Sequence, residues 1–348
     1  MLNDIVKPLT EWYRQNKRSL PWRDRHNAYY TWVSEIMLQQ TRVEAVKPYF
    51  RRFTEELPDP AALAECPEEK LLKLWEGLGY YNRVRNMQIA AQTVVEEYDG
   101  VLPESYEKLL SLRGIGSYTA GAIASIAYDI PVPAVDGNVL RVITRIIEDD
   151  GDIMKQSVKK RIENKLQEIM PGECPGDFNQ ALMELGAVVC VPNGEPKCDV
   201  CPVAFCCGAR AHGTIDRFPV KAQKKDRKLE DRTVLVIQDG EKTAIRRRPS
   251  RGLLAGLYEL PNLKGHLSEE EVLESVKAMD LEPLRIEALP EAKHIFSHIE
   301  WRMTAYRVRV SSLEEIRQND LLFVGKRQSD DQYAIPSAFS AYTKYIRE

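Results

Sequence analysis

The stretch LRGIGSYTA at residues 112–120 places two glycines one residue apart, directly ahead of an apolar run that ends at Ala127. Gly114 and Gly116 predict a tight turn between two helices, because glycine adopts backbone angles that a side chain would obstruct. Peptide N–H groups exposed where the second helix begins attract phosphate. The stretch therefore predicts a helix–hairpin–helix that binds phosphate, although the same pattern also suits a corner that needs glycine only for packing.

The sequence VDGNV at residues 135–139 follows the helix that the hairpin opens. Pro131 and Pro133 precede Asp136 and Gly137 follows it, so we expect this carboxylate to lie on a turn. A carboxylate held close to a phosphate-binding hairpin suggests chemistry on a nucleic acid rather than binding alone.

A second carboxylate, Glu35, lies in a stretch whose periodicity predicts a helix over residues 30–43. The residues spaced for one apolar face are Trp32, Ile36, Val43 and Val46. Glu35 projects toward the same region, where burial disfavours the anion and raises the pKa. A carboxylic acid that is still protonated near neutral pH can act as a general acid. The alternative is a structural ion pair with Arg23 or Arg42.

Composition limits the class of protein. The 348 residues, 43% hydrophobic and 29% charged, predict a soluble protein of about two domains. A net charge of −3 argues against a general nucleic-acid-coating protein but permits a local DNA-binding groove. We find no run long enough to cross a membrane and no signal peptide, so we expect a cytoplasmic protein whose seven cysteines are mostly reduced.

The first half of the chain reads as helical. Amphipathic periodicity predicts helices over residues 1–20, 139–148, 155–170 and 179–189, and a pair of helices over residues 69–98. No strand pattern precedes residue 230, which predicts an all-α region. The loop GLGYYN at residues 77–82 carries Tyr80, which either wedges between bases or simply packs.

Five of the seven cysteines lie between residues 190 and 207. Their spacing is Cys190-x7-Cys198-x2-Cys201-x4-Cys206-Cys207. So many thiols in one short loop predict a metal site. A single Cys-x2-Cys pair with longer flanking spacers favours an iron–sulfur cluster over zinc, which prefers two separated pairs, but zinc stays open.

The second half of the chain changes in composition. A polar, basic and aperiodic segment over residues 208–228 predicts a linker to an α+β domain over residues 229–348. Alternating patterns over residues 233–237 and 243–247 flank an Asp-Gly turn and predict a β-hairpin. The other elements predicted in this domain are a helix over residues 268–279 and a strand over residues 300–310.

Residues 252–261, GLLAGLYELP, resemble the opening of a Nudix domain. The Nudix catalytic box, with its Arg-Glu and Glu-Glu metal ligands on a helix, does not follow, because Glu269, Glu270 and Glu271 lack its spacing. The resemblance therefore implies a Nudix-like fold without hydrolase activity, and it argues against a nucleotide pyrophosphohydrolase.

Together, these motifs resemble the endonuclease III superfamily of base-excision glycosylases, and within it the adenine-DNA glycosylase branch. The stretches that carry the resemblance are residues 21–23, 34–41, 77–81, 112–120, 135–139, the cysteine loop and 294–298. The match covers nearly the whole chain. It implies an all-α helix–hairpin–helix catalytic region over residues 1–207, with the cluster loop at 190–207, followed by the linker and a Nudix-like lesion-recognition domain.

The resemblance implies a 4Fe–4S cluster whose ligands are Cys190, Cys198, Cys201 and Cys207. The family's last spacer of five residues selects Cys207 over Cys206. Its first spacer has six residues where this chain has seven. Arg113 also departs from the family, whose hairpin usually carries proline there. Loss of proline loosens the turn and leaves its N–H groups in place.

The resemblance also implies roles in catalysis. Protonated Glu35 donates to N7 of a flipped adenine, and the Asp136 anion stabilises the oxocarbenium ion left on the sugar. Tyr118 and Asn138 position Asp136 and the attacking water. In bifunctional relatives a lysine at position 118 forms a Schiff base with the sugar, and a phenol cannot form this imine. We therefore expect a monofunctional enzyme that leaves the abasic site uncut.

Contacts to DNA follow from the same resemblance. Arg23 contacts the extruded base, while Gln40 and Tyr80 fill the gap that it leaves. The loop that recognises 8-oxoguanine consists of Phe296, Ser297 and His298. Ser297 offers hydrogen bonds to the groups that oxidation changes, whereas His298 alone would suggest only turn chemistry.

The expected partner is double-stranded DNA with adenine opposite 8-oxoguanine, bound by a monomer that acts at the nucleoid of a bacterial cytoplasm. Two other functions stay open. One is a bifunctional glycosylase with abasic-site lyase activity, which Tyr118 opposes. The other is a non-catalytic iron–sulfur DNA-binding protein, which the presence of both Glu35 and Asp136 opposes.

Overall fold

The computed structural model describes residues 2–23, 27–222, 226–311 and 321–346. The chain forms two compact units, Met1–Cys66 with Asn82–Gln223 and Pro67–Tyr81 with Lys224–Glu348. The short segment 67–81 thus groups with the C-terminal half, whereas the sequence predicts that each domain is one continuous segment. Residues 223–225 of the predicted linker lie outside the described residues.

The all-α expectation for the first half is confirmed in the part of the chain that the structure describes. The helices are α1 (Val6–Asn16), α2 (Ala28–Leu38), α3 (Val43–Glu56), α4 (Pro60–Glu65), α5 (Glu68–Leu74), α6 (Asn82–Glu97), α7 (Tyr106–Ser111), α8 (Ser117–Tyr128), α9 (Gly137–Ile147), α10 (Gln156–Gln167), α11 (Pro175–Val188) and α12 (Gly208–Ala211). Helix α5 belongs to the second unit and the others to the first.

One helix differs from its sequence prediction. The helix expected over residues 30–43 ends at Leu38, and Val43 begins α3. The chain turns because Gln40 adopts a left-handed conformation with φ of 59°. Val43 and Val46 therefore lie on a different helix from Trp32, and the predicted four-residue face was wrong.

The predicted hairpin joins α7 to α8, and its two glycines have different roles. Gly114 has φ of +79°, and a Cβ atom there would lie 2.7 Å from Asn86 Cβ. Gly116 has φ of −96° and ψ of 178°, which any residue adopts, so the expectation that both glycines serve backbone conformation was wrong. A Cβ at Gly116 would meet no atom within 4 Å, so this position is open to an approaching ligand.

Close packing of α9 against α11 supports the segment that begins at Asp136. A Cβ atom at Gly186 of α11 would lie 2.6 Å from Asn138 Cβ. The core behind these helices is apolar and includes Val139, Ile143 and Leu182. Glycine at position 186 therefore lets the start of α9 sit directly against α11.

In the part of the second unit that the structure describes, seven strands form a mixed sheet ordered β3-β2-β1-β6-β5, with β4 paired to β1 and β7 paired to β2. The strands are β1 (Lys228–Asp239), β2 (Lys242–Arg247), β3 (Tyr258–Glu259), β4 (Asn262–Lys264), β5 (Pro283–Ile295), β6 (Ile299–Val310) and β7 (Leu321–Val324). Its helices are α13 (Glu269–Lys277), α14 (Lys326–Gln332) and α15 (Ser340–Thr343). Strands β1 and β2 form the predicted hairpin, while β1 and β6 run parallel.

The predicted α+β class of this unit is confirmed. The start of α13 is a capping box, in which the side chains of Ser268 and Glu271 each accept a hydrogen bond from the other residue's backbone N–H. Among the described residues, no helix is both long and apolar enough to cross a membrane.

Candidate active site

A cavity of about 680 Å³ in the first unit gathers side chains from α2, α8, α9 and α11. The predicted site residues that line it are Glu35, Tyr118, Asp136, Asn138, Arg23 and Gln40. Residues spread over more than a hundred positions of the chain thus meet at one recess. Two carboxylates on one cavity can serve a single bound group as acid and as anion.

Glu35 projects from α2 and is 7% exposed. Its Oε2 accepts a short hydrogen bond from Tyr118 Oη. Burial raises the pKa of Glu35 to about 7; the hydrogen bond from Tyr118 opposes the rise and the charge of Asp136 adds to it. A substantial fraction of Glu35 is therefore protonated at neutral pH, as a general acid requires.

Tyr118 is a donor at this site. Its hydroxyl lies 3.8 Å from Met183 Sδ as well as bonding to Glu35. Burial and the neighbouring carboxylates raise its pKa well above the ordinary value, so the phenol keeps its proton. The proton on Oη in turn directs the transferable proton of Glu35 to its other oxygen, Oε1.

Asp136 is the N-cap of α9, a more definite position than the turn that the sequence predicts. Its Oδ1 accepts from Val139 N at 2.8 Å, and its Oδ2 accepts from Asn138 Nδ2 at 2.7 Å. Arg141 Nη2 donates to Asn138 Oδ1 at 2.9 Å, which fixes the orientation of that amide. Burial raises the pKa of Asp136, and the bonds from Val139 and Asn138 oppose the rise.

A buried ion-pair network that the sequence analysis missed adjoins the acid. Glu184 is 1% exposed and accepts from Arg18 Nε at 2.6 Å and from Arg23 Nη2 at 2.8 Å. Burial alone would raise the pKa of Glu184, but these two arginines lower it to about 2. Glu184 is therefore the anion that pairs with Arg23. Among the described residues, Glu35 forms no ion pair with Arg23 or Arg42, so the predicted structural alternative is wrong.

The same signal that singled out Glu35 was available for Glu184. It is a carboxylate between Met183 and Leu185 in a stretch whose periodicity predicts a helix. Neither arginine could be assigned to it from the sequence, because Arg18 and Arg23 lie more than 160 residues away.

Gln40 lies at the mouth of the cavity in an unusual backbone conformation. It is exposed and left-handed, as noted above. Arg83 Nη1 supports this turn by donating to Ile36 O at 2.6 Å and to Gln39 O at 2.7 Å. A left-handed non-glycine residue is uncommon and often marks a functional site.

Apart from the hairpin glycines Gly114 and Gly116, the other predicted DNA-contacting residues lie in the second unit. Tyr80 is 48% exposed with φ of 49°, and its hydroxyl shares a hydrogen bond of 2.9 Å with Ser297 Oγ. Ser297 and His298 are exposed in the turn between β5 and β6. The ring of Phe296 packs edge-on against Trp301, with centroids 5.0 Å apart, which anchors the turn.

The four predicted ligand cysteines, Cys190, Cys198, Cys201 and Cys207, line one largely apolar recess of the first unit. Arg145 Nη1 lies 3.2 Å from Cys190 Sγ. Cys206 is not among the residues that line this recess. Its thiol donates to Val203 O at 3.4 Å, and the Cys207 thiol donates to Arg145 O at 3.6 Å. Among the residues that the structure describes, no three Cys, His, Asp or Glu side chains are grouped so that they could hold one metal ion.

Two regions of the chain match known protein families. Residues 33–171 match the HhH-GPD superfamily of base excision DNA repair proteins, and residues 233–345 match the NUDIX domain. The chain is 36% identical to the adenine DNA glycosylase of Mus musculus, with 86% of this chain and 69% of that protein aligned. It is 31% identical to the adenine DNA glycosylase of Buchnera aphidicola from Acyrthosiphon pisum, with 87% and 86% aligned.

Solved structures agree on the fold of the first unit. A thermostable thymine-DNA glycosylase superposes with a TM-score of 0.54 at 25% identity, over 60% of this chain and 96% of that one. A non-covalent endonuclease III–DNA complex superposes with a TM-score of 0.52 at 24% identity, over 61% and 98%.

Proposed function

Because the chain belongs to the adenine DNA glycosylase family of helix–hairpin–helix base-excision proteins, we propose that it releases adenine mispaired with 8-oxoguanine or guanine in duplex DNA. It is a DNA glycosylase, and the family resemblance seen in the motifs is confirmed. The observation that carries the finer proposal is the presence of Glu35 and Asp136 on one cavity.

Adenine stacked in a duplex is out of reach, so the nucleotide first rotates out of the helix at a cost of a few kcal/mol. Glu35 then donates the proton on Oε1 to N7, and the base departs as neutral adenine. Tyr118 holds Oε2 during this step. The Arg18–Glu184–Arg23 network borders the same cavity and offers a fixed cation to the extruded base.

Loss of the base leaves an oxocarbenium ion on the sugar. The Asp136 anion stabilises this cation by charge or by a transient bond to C1′. Water then adds its hydroxyl to C1′, and its proton restores the acid form of Glu35. Asn138 and Val139 hold the carboxylate at 2.7 and 2.8 Å throughout, so little reorganisation is needed as the charge develops.

An alkali-dependence assay tests this function. We expect a duplex with adenine opposite 8-oxoguanine to remain unbroken after incubation with the protein, and to break at the adenine only after hot alkali. Lys159 and Lys221 also line the cavity, and an amine there favours a lyase. Nicking without alkali, together with borohydride trapping of the protein on DNA, would contradict the monofunctional proposal.

Lesion recognition is proposed for the second unit. The hydrogen bond between Tyr80 and Ser297 supports it, because it joins an exposed, left-handed aromatic residue to the turn between β5 and β6. Tyr80 can enter the base stack while Ser297 reaches the edge of the base opposite the adenine. The helix start at residues 269–271 is an ordinary capped helix, which fits a Nudix-like domain without a hydrolase site.

We also propose that Cys190, Cys198, Cys201 and Cys207 hold a 4Fe–4S cluster. Four thiols around one apolar recess suit such a cluster, and the position of Cys206 outside the lining of this recess supports Cys207 as the fourth ligand. When bound, a cluster of this kind cross-links the loop through thiolate–iron bonds. No step of base release depends on it in this proposal.

Spectroscopy of cysteine variants tests the cluster. We expect the purified protein to show the broad visible absorption of thiolate-bound iron, and Cys198→Ala to lose both the absorption and most of the iron. The matched variant Cys206→Ala should keep both. Bound zinc without visible absorption, or a loss in Cys206→Ala as large as in Cys198→Ala, would contradict this ligand set.

A further inference from the structure

We propose that Lys73 and Glu76 of the α5 segment are positioning residues that set Tyr80 against Ser297 and thereby determine how strongly the enzyme prefers 8-oxoguanine over guanine. The inference rests on the lesion recognition proposed above. It goes further because it assigns specificity to two side chains outside the turn proposed to contact the lesion. Lys73, Glu76 and the backbone groups that they bind form the clamp.

The clamp joins α5 and the residues that follow it to the backbone of residues 329–335, near the end of the chain. Lys73 Nζ donates to Ser329 O at 3.2 Å and to Tyr333 O at 3.0 Å. The same ammonium pairs with Glu76 at 2.6 Å, and Glu76 Oε1 accepts from Ile335 N at 2.8 Å. Three backbone groups from residues 329–335 are thus bound by two side chains of one segment, about 260 positions earlier in the chain.

A second contact secures the start of the same helix. Tyr258 Oη donates to Glu69 Oε1 at 3.4 Å, and the rings of Tyr258 and Tyr333 pack edge-on with centroids 4.6 Å apart. The same helix also buries the side chains of Leu71, Leu72 and Leu74. The segment 67–81 is therefore fixed within the second unit, with which it groups as a compact body.

The path from the clamp to Tyr80 is short and rigid. Trp75 Nε1 donates to Gly79 O at 3.0 Å and Leu78 N donates to Trp75 O at 3.1 Å, which fix the loop that follows α5. Tyr80 then leaves this loop in a left-handed conformation and meets Ser297. A strained conformation of this kind persists only where the surroundings hold it, so release of Lys73 frees Tyr80 from Ser297.

The experiment compares single-turnover rates on two duplexes, one with adenine opposite 8-oxoguanine and one with adenine opposite guanine. We expect Lys73→Met to lower the ratio of the two rates by about tenfold, a size within the range for residues that couple to a site through packed elements without touching it. Lys73→Arg, which can still donate to both carbonyls, should restore the ratio. Lys277→Met, which changes an exposed lysine on α13 of the same unit, is the matched control.

A double-mutant cycle separates positioning from general damage. Ser297→Ala should lower the ratio by itself, and Lys73→Met should add nothing to it if the clamp acts through Ser297. Glu76→Gln, which can still accept from Ile335 N, gives a milder loss in the same direction and guards against misfolding of Lys73→Met. Equal loss on both duplexes, or additive losses with Ser297→Ala, would overturn the clamp.

The outcomes also distinguish the role of the clamp from the proposed recognition of 8-oxoguanine, on which it rests. A wild-type ratio close to one would overturn the preference for 8-oxoguanine itself, and the role of the clamp with it. A large wild-type ratio that Ser297→Ala lowers and Lys73→Met leaves intact would overturn the clamp alone.

Discussion

Replacing Glu35 by glutamine is expected to slow adenine release by about 10²- to 10⁴-fold, the range for loss of a general acid. The introduced amide oxygen can still accept the hydrogen bond from Tyr118 Oη, so the cavity keeps its shape. Glutamine has no proton that can move to N7, and adenine would have to leave as an anion. Single-turnover base release measures the change, while binding to a duplex with an uncleavable adenine analogue should persist.

The pH dependence distinguishes a general acid from a structural carboxyl. Because burial raises the pKa of Glu35 to about 7, the protonated fraction falls about tenfold per unit above that pH. The wild-type rate should fall in the same way, and the residual rate of Glu35→Gln should not. Full activity in the variant, or an unchanged alkaline limb, would remove Glu35 from the role of acid.

Protein stability gives an independent check on the same group. A folded-state pKa raised above the unfolded value of about 4.3 means that the contribution of Glu35 is fully present below about pH 4.3 and is lost as the pH rises through about 7. Glutamine does not ionise, so the stability of the variant does not fall in this pH range for this reason. In urea titrations at about pH 9, Glu35→Gln should therefore exceed the wild type by about 3 kcal/mol in unfolding free energy.

Local sequence patterns predicted much of this site. The Gly-x-Gly turn and the acid in an apolar helix depend on neighbours within a few residues, and both are visible in the sequence. The recess that joins Glu35 to Asp136 is different, because it depends on how α2, α8 and α9 pack together. The resemblance to a family supplied that link, and periodicity alone could not.

What the sequence missed depends on distant partners. Arg83, which fixes the turn at Gln40, lies more than forty residues later in the chain. Glu184 pairs with arginines that lie more than 160 residues earlier in the chain. The segment 67–81 has ordinary helix and loop patterns, so nothing in it indicates that Lys73 bonds carbonyls near residue 330. Such contacts follow from tertiary packing.

Replacing Asp136 by asparagine should lower base release by about 10²- to 10³-fold, because a preorganised charge beside the developing cation is lost. The introduced side chain can still cap α9 by accepting from Val139 N, so the fold should be retained. Its amide group would, however, face the Asn138 amide that now donates to Oδ2, and neither can stabilise an oxocarbenium ion as an anion does. Asp59→Asn, at the N-cap of α4, is a matched control that changes a capping aspartate outside the cavity.

The acid side of the pH–rate profile gives a second test of the role of Asp136. Burial raises the pKa of Asp136, so the anion is lost at a higher pH than for an exposed aspartate, and the wild-type rate should fall on the acid side. Asp136→Asn has no group to protonate there and should lose that limb, whereas Asp59→Asn should keep it. A rate for Asp136→Asn within about tenfold of wild type, with the acid limb intact, would mean that another group stabilises the cation. The two carboxylates would then no longer act as a pair, because the acid at position 35 would have no anion opposite it.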